Sequence, residues 1–190
     1  KQNHYLKNEF LNEEKLTKPT YDFLDLNSER LSGIASFIGL NILLLFFIIT
    51  FNYEQFVELP KATANQLAEE THERVGAVIG SIVMAIVVIM FYFKGSFNFD
   101  KKAKFLKILA QIWVFLNAIL VISAMLKNTE YVYYLGLTYK RLGVYAFLSL
   151  AIIGLIFTFI KVSKQKTNAY LFNQMFWYVY GTILVCSFIN

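Results

Sequence analysis

The sequence predicts an all-helical protein that crosses a membrane about five times. Hydrophobic residues make up 57% of its 190 residues and charged residues only 16%, whereas a soluble domain carries about 25% charged residues. The charges are concentrated between five long apolar blocks, and about 20 apolar residues match the roughly 30 Å hydrocarbon core of a bilayer. The clearest block, residues 142–160, consists of 19 uncharged residues and is followed by Lys161. We therefore expect a polytopic transmembrane helix bundle.

The chain divides into a polar segment, residues 1–30, and a transmembrane domain, residues 31–190. Asn27 and Ser28 predict a helix start before the first span, because Asn and Ser side chains cap free backbone N–H groups. The first residue is Lys1, so we expect a piece of a longer protein or a chain without its natural start. The predicted spans cover approximately residues 31–51, 75–93, 105–125, 142–160 and 169–189.

The basic residues predict the orientation of the spans. Lys and Arg number five in the N-terminal segment, four between the second and third spans, and three between the fourth and fifth, against five on the opposite side. Basic loops favour the cytoplasm, so the N-terminal segment should be cytoplasmic in a bacterial inner membrane. The net charge of +5 is explained by these loops, and we expect no nucleic-acid partner.

Small residues in the spans predict where helices pack together. Gly76 and Gly80 form a small-xxx-small pair, and Ser81 and Ala85 continue it one residue along. Gly154 lies in the fourth span. Such residues let two helix backbones approach closely in lipid.

Three uncharged polar residues, Asn41, Gln111 and Asn117, lie deep in the predicted spans. Hydrogen bonds between helices are their favoured role, each contributing about 0.6–2 kcal/mol. A water-filled path lined by all three would favour a transporter, and dry packing against neighbours would favour a scaffold.

The sequence contains no recognisable set of catalytic residues. The spans contain no carboxylate or histidine, which proton-coupled transport usually needs. His72 and Glu73 match the first half of an HExxH zinc motif, but Gly76 replaces the second histidine. Cys186 is the only cysteine, so it permits no internal disulfide and no thiolate metal cluster. We expect neither a metal nor a cofactor.

Polar residues gather on the predicted outer face, before the second span and in a structured loop before the fourth. Gly136 would allow a turn with positive φ in this loop, and Thr138 could then cap the fourth helix. One interpretation is a loop whose basic residues contact lipid phosphate; the other is a ligand or partner site. The candidate site residues are His72, Glu73, Glu130, Tyr134, Thr138, Lys140 and Arg141.

Several blocks occur in an order that resembles a known family. They are DFLDLNSERLSG, THERVGAVIGSIVMAI, FYFKGSFNF, LKILAQIWVFLNAILVISAMLK and YYLGLTYKRLGVYAFLSLAIIGLIFTFIKV. Together they resemble bacterial polytopic inner-membrane proteins that carry only a domain-of-unknown-function label, many of them from Bacteroidetes. The resemblance covers roughly residues 20–190. Leu135 departs from the family's more common form of the loop.

The resemblance implies a fold and a location but no reaction. It implies further membrane helices upstream and a short motif beyond the last span. It also implies that the recurrent polar positions of the family fall here on His72, Asn98, Asn117, Thr138 and Arg141.

Two functions from different classes fit the sequence. The first is a non-enzymatic inner-membrane subunit or scaffold whose partners are the lipid bilayer and other membrane proteins, or missing helices of the same protein. The alternative is a transporter or lipid-handling protein in which His72 and Arg141 bind an anionic headgroup or solute on the outer face.

Overall fold

The computed structural model describes residues 25–56, 64–94 and 96–188, with their side chains except at residues 55–56, 64–73, 96 and 101. This part of the chain is all-helical, which confirms the predicted fold class. Two short 3₁₀ turns, Ser96–Asn98 and Lys101–Ala103, connect the second helix to the third. The five long helices are α1 (Leu26–Phe56), α2 (Ala64–Tyr92), α3 (Lys104–Leu135), α4 (Tyr139–Ser163) and α5 (Asn168–Phe188).

Four segments are long and apolar enough to cross a membrane. They are Leu26–Glu54, Arg74–Tyr92, Lys104–Leu135 and Tyr139–Ser163, and they cover the first four predicted spans to within one residue. The helix α5 lies within one residue of the fifth predicted span and has 21 residues. Its hydropathy is lower because it carries amides and several tyrosines, and it is not among the four segments. A membrane crossing by α5 therefore stays a prediction.

The polar N-terminal segment falls mostly outside the described residues. The helix α1 begins at Leu26 and so includes the last residues of that segment. Asn27 lies in the first turn, where its Oδ1 accepts a hydrogen bond of 2.7 Å from Arg30 Nη2.

The helix α3 forms the centre of the bundle. The helices α1, α2 and α4 all pack against α3, and α5 packs against α4. An aromatic cluster fills the junction of the first three helices: the Phe37 ring lies 5.4 Å from that of Trp113 and 6.4 Å from that of Phe93. Many apolar side chains also face outwards, as expected of helices whose solvent is lipid.

The connection between α3 and α4 is shorter than predicted. We predicted a structured loop before the fourth span, but α3 continues to Leu135 and leaves only residues 136–138 outside the helices. The last turns of α3 are helical because they pack: Tyr131 is 6% exposed, and Lys127 forms an ion pair of 3.1 Å with Glu130 one turn along. The predicted positive φ at Gly136 is confirmed, at 78°.

Thr138 occupies the predicted N-cap position of α4 in an extended conformation, but its side chain makes no capping hydrogen bond. The predicted capping role of its hydroxyl is therefore wrong.

Two glycines on inward faces lie close to side chains of neighbouring helices. A Cβ at Gly33 would lie 3.1 Å from Tyr92 Cε1 and 3.2 Å from Leu106 Cδ1. A Cβ at Gly154 would lie 3.4 Å from Met175 Cε. These glycines let α1 approach α2 and α3, and let α4 approach α5.

The predicted small-residue stripe of α2 divides between two faces. Ala85 is fully buried and Ser81 is half-buried, whereas Gly76 and Gly80 are exposed. A Cβ at either of these glycines would meet nothing within 4 Å. Any close helix contact at Gly76 and Gly80 would therefore involve a helix outside the described part of this chain.

Candidate functional site

The α3–α4 loop brings several predicted site residues to one end of the bundle. Arg141 Nη1 donates a hydrogen bond to the Gly136 carbonyl, and the guanidinium carbon lies 4.0 Å from the centroid of the Tyr131 ring. Asn128 Nδ2 donates to the Arg141 carbonyl at 3.3 Å. A planar cation can stack on an aromatic face while it donates from its edge. Arg141 therefore closes the loop onto the end of α3.

The other residues near this loop fall into two groups. Glu130 is paired with Lys127, and the structure records no contact between Glu130 and Arg141. Tyr134, Thr138 and Lys140 are exposed. Among the described residues, Lys140 has no hydrogen bond or ion pair, so this ammonium group is free at the bundle surface.

His72 and Glu73 lie in α2, but their side chains are outside the described part of the chain. The neighbouring Arg74 contacts α1, since its Nη2 lies 2.9 Å from Glu54 Oε2. This ion pair links α1 and α2 at their connected ends.

A groove of about 500 Å³ separates the beginning of α4 from the end of α5. We call it the α4–α5 groove. Its lining residues are Tyr139, Leu142, Gly143, Thr182, Ile183, Cys186 and Ser187.

The opposite end of the bundle holds a buried cation that the sequence analysis missed. Lys161 is 0% exposed, and its Nζ donates to the Phe93 carbonyl at 2.8 Å. Asn98 Nδ2 donates to the same oxygen at 2.8 Å, and Asn168 Nδ2 donates to the Met90 carbonyl at 3.2 Å. The last carbonyls of a helix have no partner within it and form the negative end of its dipole. An ammonium and two amides satisfy this end of α2.

Further side-chain contacts hold the α2–α3 connection in place. Lys107 Nζ donates to the Asn98 carbonyl at 2.6 Å, and Arg30 Nη1 lies 3.3 Å from Asp100 Oδ2. Two signals could have located this cluster: the break in the apolar run at Lys161 and the polar position that the resemblance implied at Asn98. The partner carbonyl at Phe93 is 68 residues away in the chain, so the spacing of residues in the sequence could not predict that Lys161 contacts it.

The three intramembrane polar residues have separate partners. Asn41 Nδ2 donates to the Phe37 carbonyl at 2.7 Å and, across the helix interface, to the Leu109 carbonyl at 3.1 Å. Gln111 Nε2 donates to Ser163 Oγ on α4 at 3.0 Å.

Asn117 is 0% exposed and donates within its own helix to the Trp113 carbonyl at 2.8 Å. Asn41 and Gln111 therefore link α3 to two different helices, while Asn117 lies in the core.

Residues 8–190 match a protein-family model described as Domain of unknown function (DUF4153). The chain belongs to the DUF4153 family. This match confirms that the ordered sequence blocks belong to a family that carries a domain-of-unknown-function label. Searches of curated proteins and of solved structures found no significant match.

Family membership carries no established activity. The structure nevertheless gives a physical role to three of the polar residues that the resemblance singled out: Arg141 closes the α3–α4 loop, Asn98 caps α2, and Asn117 fills a core position.

Proposed function

We propose that this DUF4153 chain is a non-enzymatic subunit or scaffold of the bacterial inner membrane that packs against other membrane helices. The observation that carries the proposal is an outward-facing stripe of polar and aromatic residues on α5. We call it the α5 stripe, and it consists of Asn173, Trp177, Tyr180 and Leu184.

The α5 stripe lies opposite the contact with α4. Its members follow a spacing of four, three and four residues, which places them on one helix face. Trp177 is 61% exposed and Tyr180 is 51% exposed. By contrast, Leu171 is 3% exposed, and Met175 contacts Gly154 of α4. The stripe thus has no neighbour among the described helices.

Lipid is a poor environment for the centre of this stripe. Trp and Tyr prefer the membrane–water interface, where the indole N–H and the phenol O–H find partners. Trp177 and Tyr180 lie near the middle of a 21-residue helix, and neither has a hydrogen bond among the described residues. If α5 crosses the membrane as predicted, a second membrane helix would cover these groups and offer them partners.

The deep polar residues also support a scaffold over a transporter. Asn41 and Gln111 form hydrogen bonds that join helices, and Asn117 is buried within α3. The bonds of Asn41 and Gln111 join neighbouring helices directly, which is the role that we associated with a scaffold.

A pair of matched double variants tests the proposal. Trp177→Leu with Tyr180→Leu keeps α5 apolar but removes the stripe's polar atoms and aromatic area. Phe172→Leu with Phe176→Leu, two exposed positions on the same helix, is the control. The complexes are extracted from native membranes in mild detergent or nanodiscs. The Trp177/Tyr180 double variant should reduce the size of the complex, and the Phe172/Phe176 control should not. A wild-type protein that runs as a lone monomer, or a stripe variant that keeps the wild-type complex size, would contradict the proposal.

A second candidate function is lipid handling, which the α4–α5 groove and the free Lys140 favour. If the protein handles lipids, Lys140 is the residue that contacts the anionic group. The Arg141 guanidinium already donates to Gly136 and stacks on Tyr131.

A further inference from the structure

The α4–α5 groove lies at the end of the bundle that carries the α3–α4 loop. The first turn of α4 forms one wall through Tyr139, Leu142 and Gly143, and the last turns of α5 form the other. Its volume of about 500 Å³ is within the range of about 300–1,000 Å³ typical of small-molecule sites. In a bilayer this groove would open at the boundary between headgroups and acyl chains.

The groove walls are apolar in effect, although they contain two hydroxyl residues. Thr182 Oγ1 donates to the Tyr178 carbonyl at 2.8 Å, and Ser187 Oγ donates to the Ile183 carbonyl at 2.9 Å. Both hydroxyls are thus satisfied within α5. An occupant of the interior needs no hydrogen-bonding groups, which favours a hydrocarbon chain over a polar solute.

The rim of the groove has the opposite character. Tyr139 lines the groove and is 72% exposed, and the next residue is the unpaired, exposed Lys140. Basic side chains and tyrosines at a helix end contact lipid headgroups at the interface. Lys140 does not line the groove, but it follows the groove-lining Tyr139 in the first turn of α4. A free cation next to a groove-lining residue complements a molecule with an anionic head and an apolar tail.

We propose that the α4–α5 groove binds one anionic phospholipid, with the phosphate at Lys140 and Tyr139 and an acyl chain along Leu142, Gly143 and Ile183. This inference deepens the second candidate function by naming its ligand. It does not depend on the scaffold role, whose test is the size of the complex.

Cys186 provides a reporter for this site. It is the only cysteine in the chain, it is exposed, and it lines the groove. An acyl chain in the groove should therefore slow alkylation of Cys186 by N-ethylmaleimide. Mass spectrometry of the purified protein in detergent measures the rate without other thiols in the background.

The experiment compares phosphatidylglycerol, phosphatidylcholine of the same acyl chains, and soluble glycerol phosphate. Phosphatidylglycerol should protect Cys186 at a concentration about fivefold lower than phosphatidylcholine, the factor expected from one lysine contact with an anionic headgroup. Glycerol phosphate should give no protection, because it has no acyl chain. Protection by glycerol phosphate would show a free-phosphate site and overturn the proposal.

Three variants separate the site from its surroundings. Lys140→Gln should remove the preference for phosphatidylglycerol, whereas Lys164→Gln, an exposed lysine at the other end of α4, should keep it. Gly143→Leu should fill the groove and abolish protection by either lipid. Its melting temperature shows whether the fold is intact. If Gly143→Leu does not fold, the comparison of Lys140→Gln with Lys164→Gln still tests whether Lys140 contacts the phosphate.

Equal protection by both phospholipids, or none, would overturn the proposal. Protection that depends on protein concentration instead of lipid would also overturn it, since a second copy of the chain would then occupy the groove.

Discussion

Lys161 Nζ donates a hydrogen bond to the Phe93 carbonyl over 2.8 Å, and neither side chain is exposed. The contact joins the last turn of α4 to the end of α2. This contact stabilises the buried ammonium group, because the C-terminal end of a helix carries partial negative charge.

This relationship predicts that Lys161 stabilises the fold. Lys161→Met should lower the free energy of unfolding by about 1.5–3 kcal/mol, the contribution of a hydrogen bond to a charged group. The control Lys164→Met, at an exposed position nearby, should change it by less than about 0.5 kcal/mol. Thermal unfolding in one detergent measures both variants, and equal melting temperatures would show that the contact adds no stability.

Arg141 and Tyr131 should be energetically coupled. Arg141→Lys loses the planar stack over the ring and the directed hydrogen bond to Gly136, so stability should fall by about 0.5–1 kcal/mol. Lys140→Arg should not restore it, because the residue that stacks on the ring is Arg141 and not residue 140. A double-mutant cycle with Tyr131→Leu measures the coupling. A coupling energy near zero would reduce Arg141 to an interfacial anchor.

The two glycine environments predict opposite responses to a larger side chain. Gly33→Leu should destabilise the protein by about 1–3 kcal/mol, because the new side chain would overlap Tyr92 and Leu106. Gly80→Leu enters open space in this chain and should leave the melting temperature of the isolated protein unchanged. If Gly80→Leu alone reduces the size of the complex, a partner helix contacts that face; loss of stability in the isolated chain would instead contradict the described packing.

The orientation can be tested by labelling single cysteines in a Cys186→Ser background. Lys102→Cys and Lys164→Cys should react with an impermeant maleimide only after the cells are permeabilised, because basic loops stay cytoplasmic. Leu137→Cys, in the exposed α3–α4 loop, should react in intact cells. Labelling of Lys102→Cys in intact cells would reverse the topology.

Sequence patterns predicted the helices well because long apolar blocks determine where a chain can span a bilayer. The positive φ at Gly136 was also predictable, since glycine tolerates that conformation. The end of α3 was not, because residues 126–135 are largely polar and aromatic, and contacts with α4 stabilise this end of the helix, such as the stacking of Arg141 on Tyr131. Local patterns carry no information about such packing.

The pairing within the cluster at the end of α2 could not be predicted from the sequence for a different reason. Lys161 looked like the end of an apolar run, and its partner at Phe93 lies on another helix. The same limit applies to glycines: Gly33 belongs to no small-residue motif, yet it makes the tightest approach among the described glycines, whereas the motif at Gly76 and Gly80 faces outwards.

The central claim is that another membrane protein covers the α5 stripe, and site-specific photo-cross-linking in native membranes tests it most directly. A benzophenone amino acid replaces Trp177 in one variant and Phe115, an exposed residue of α3, in the control. We expect a discrete protein–protein adduct from position 177 and mainly lipid adducts from position 115. Lipid adducts alone at both positions would contradict it.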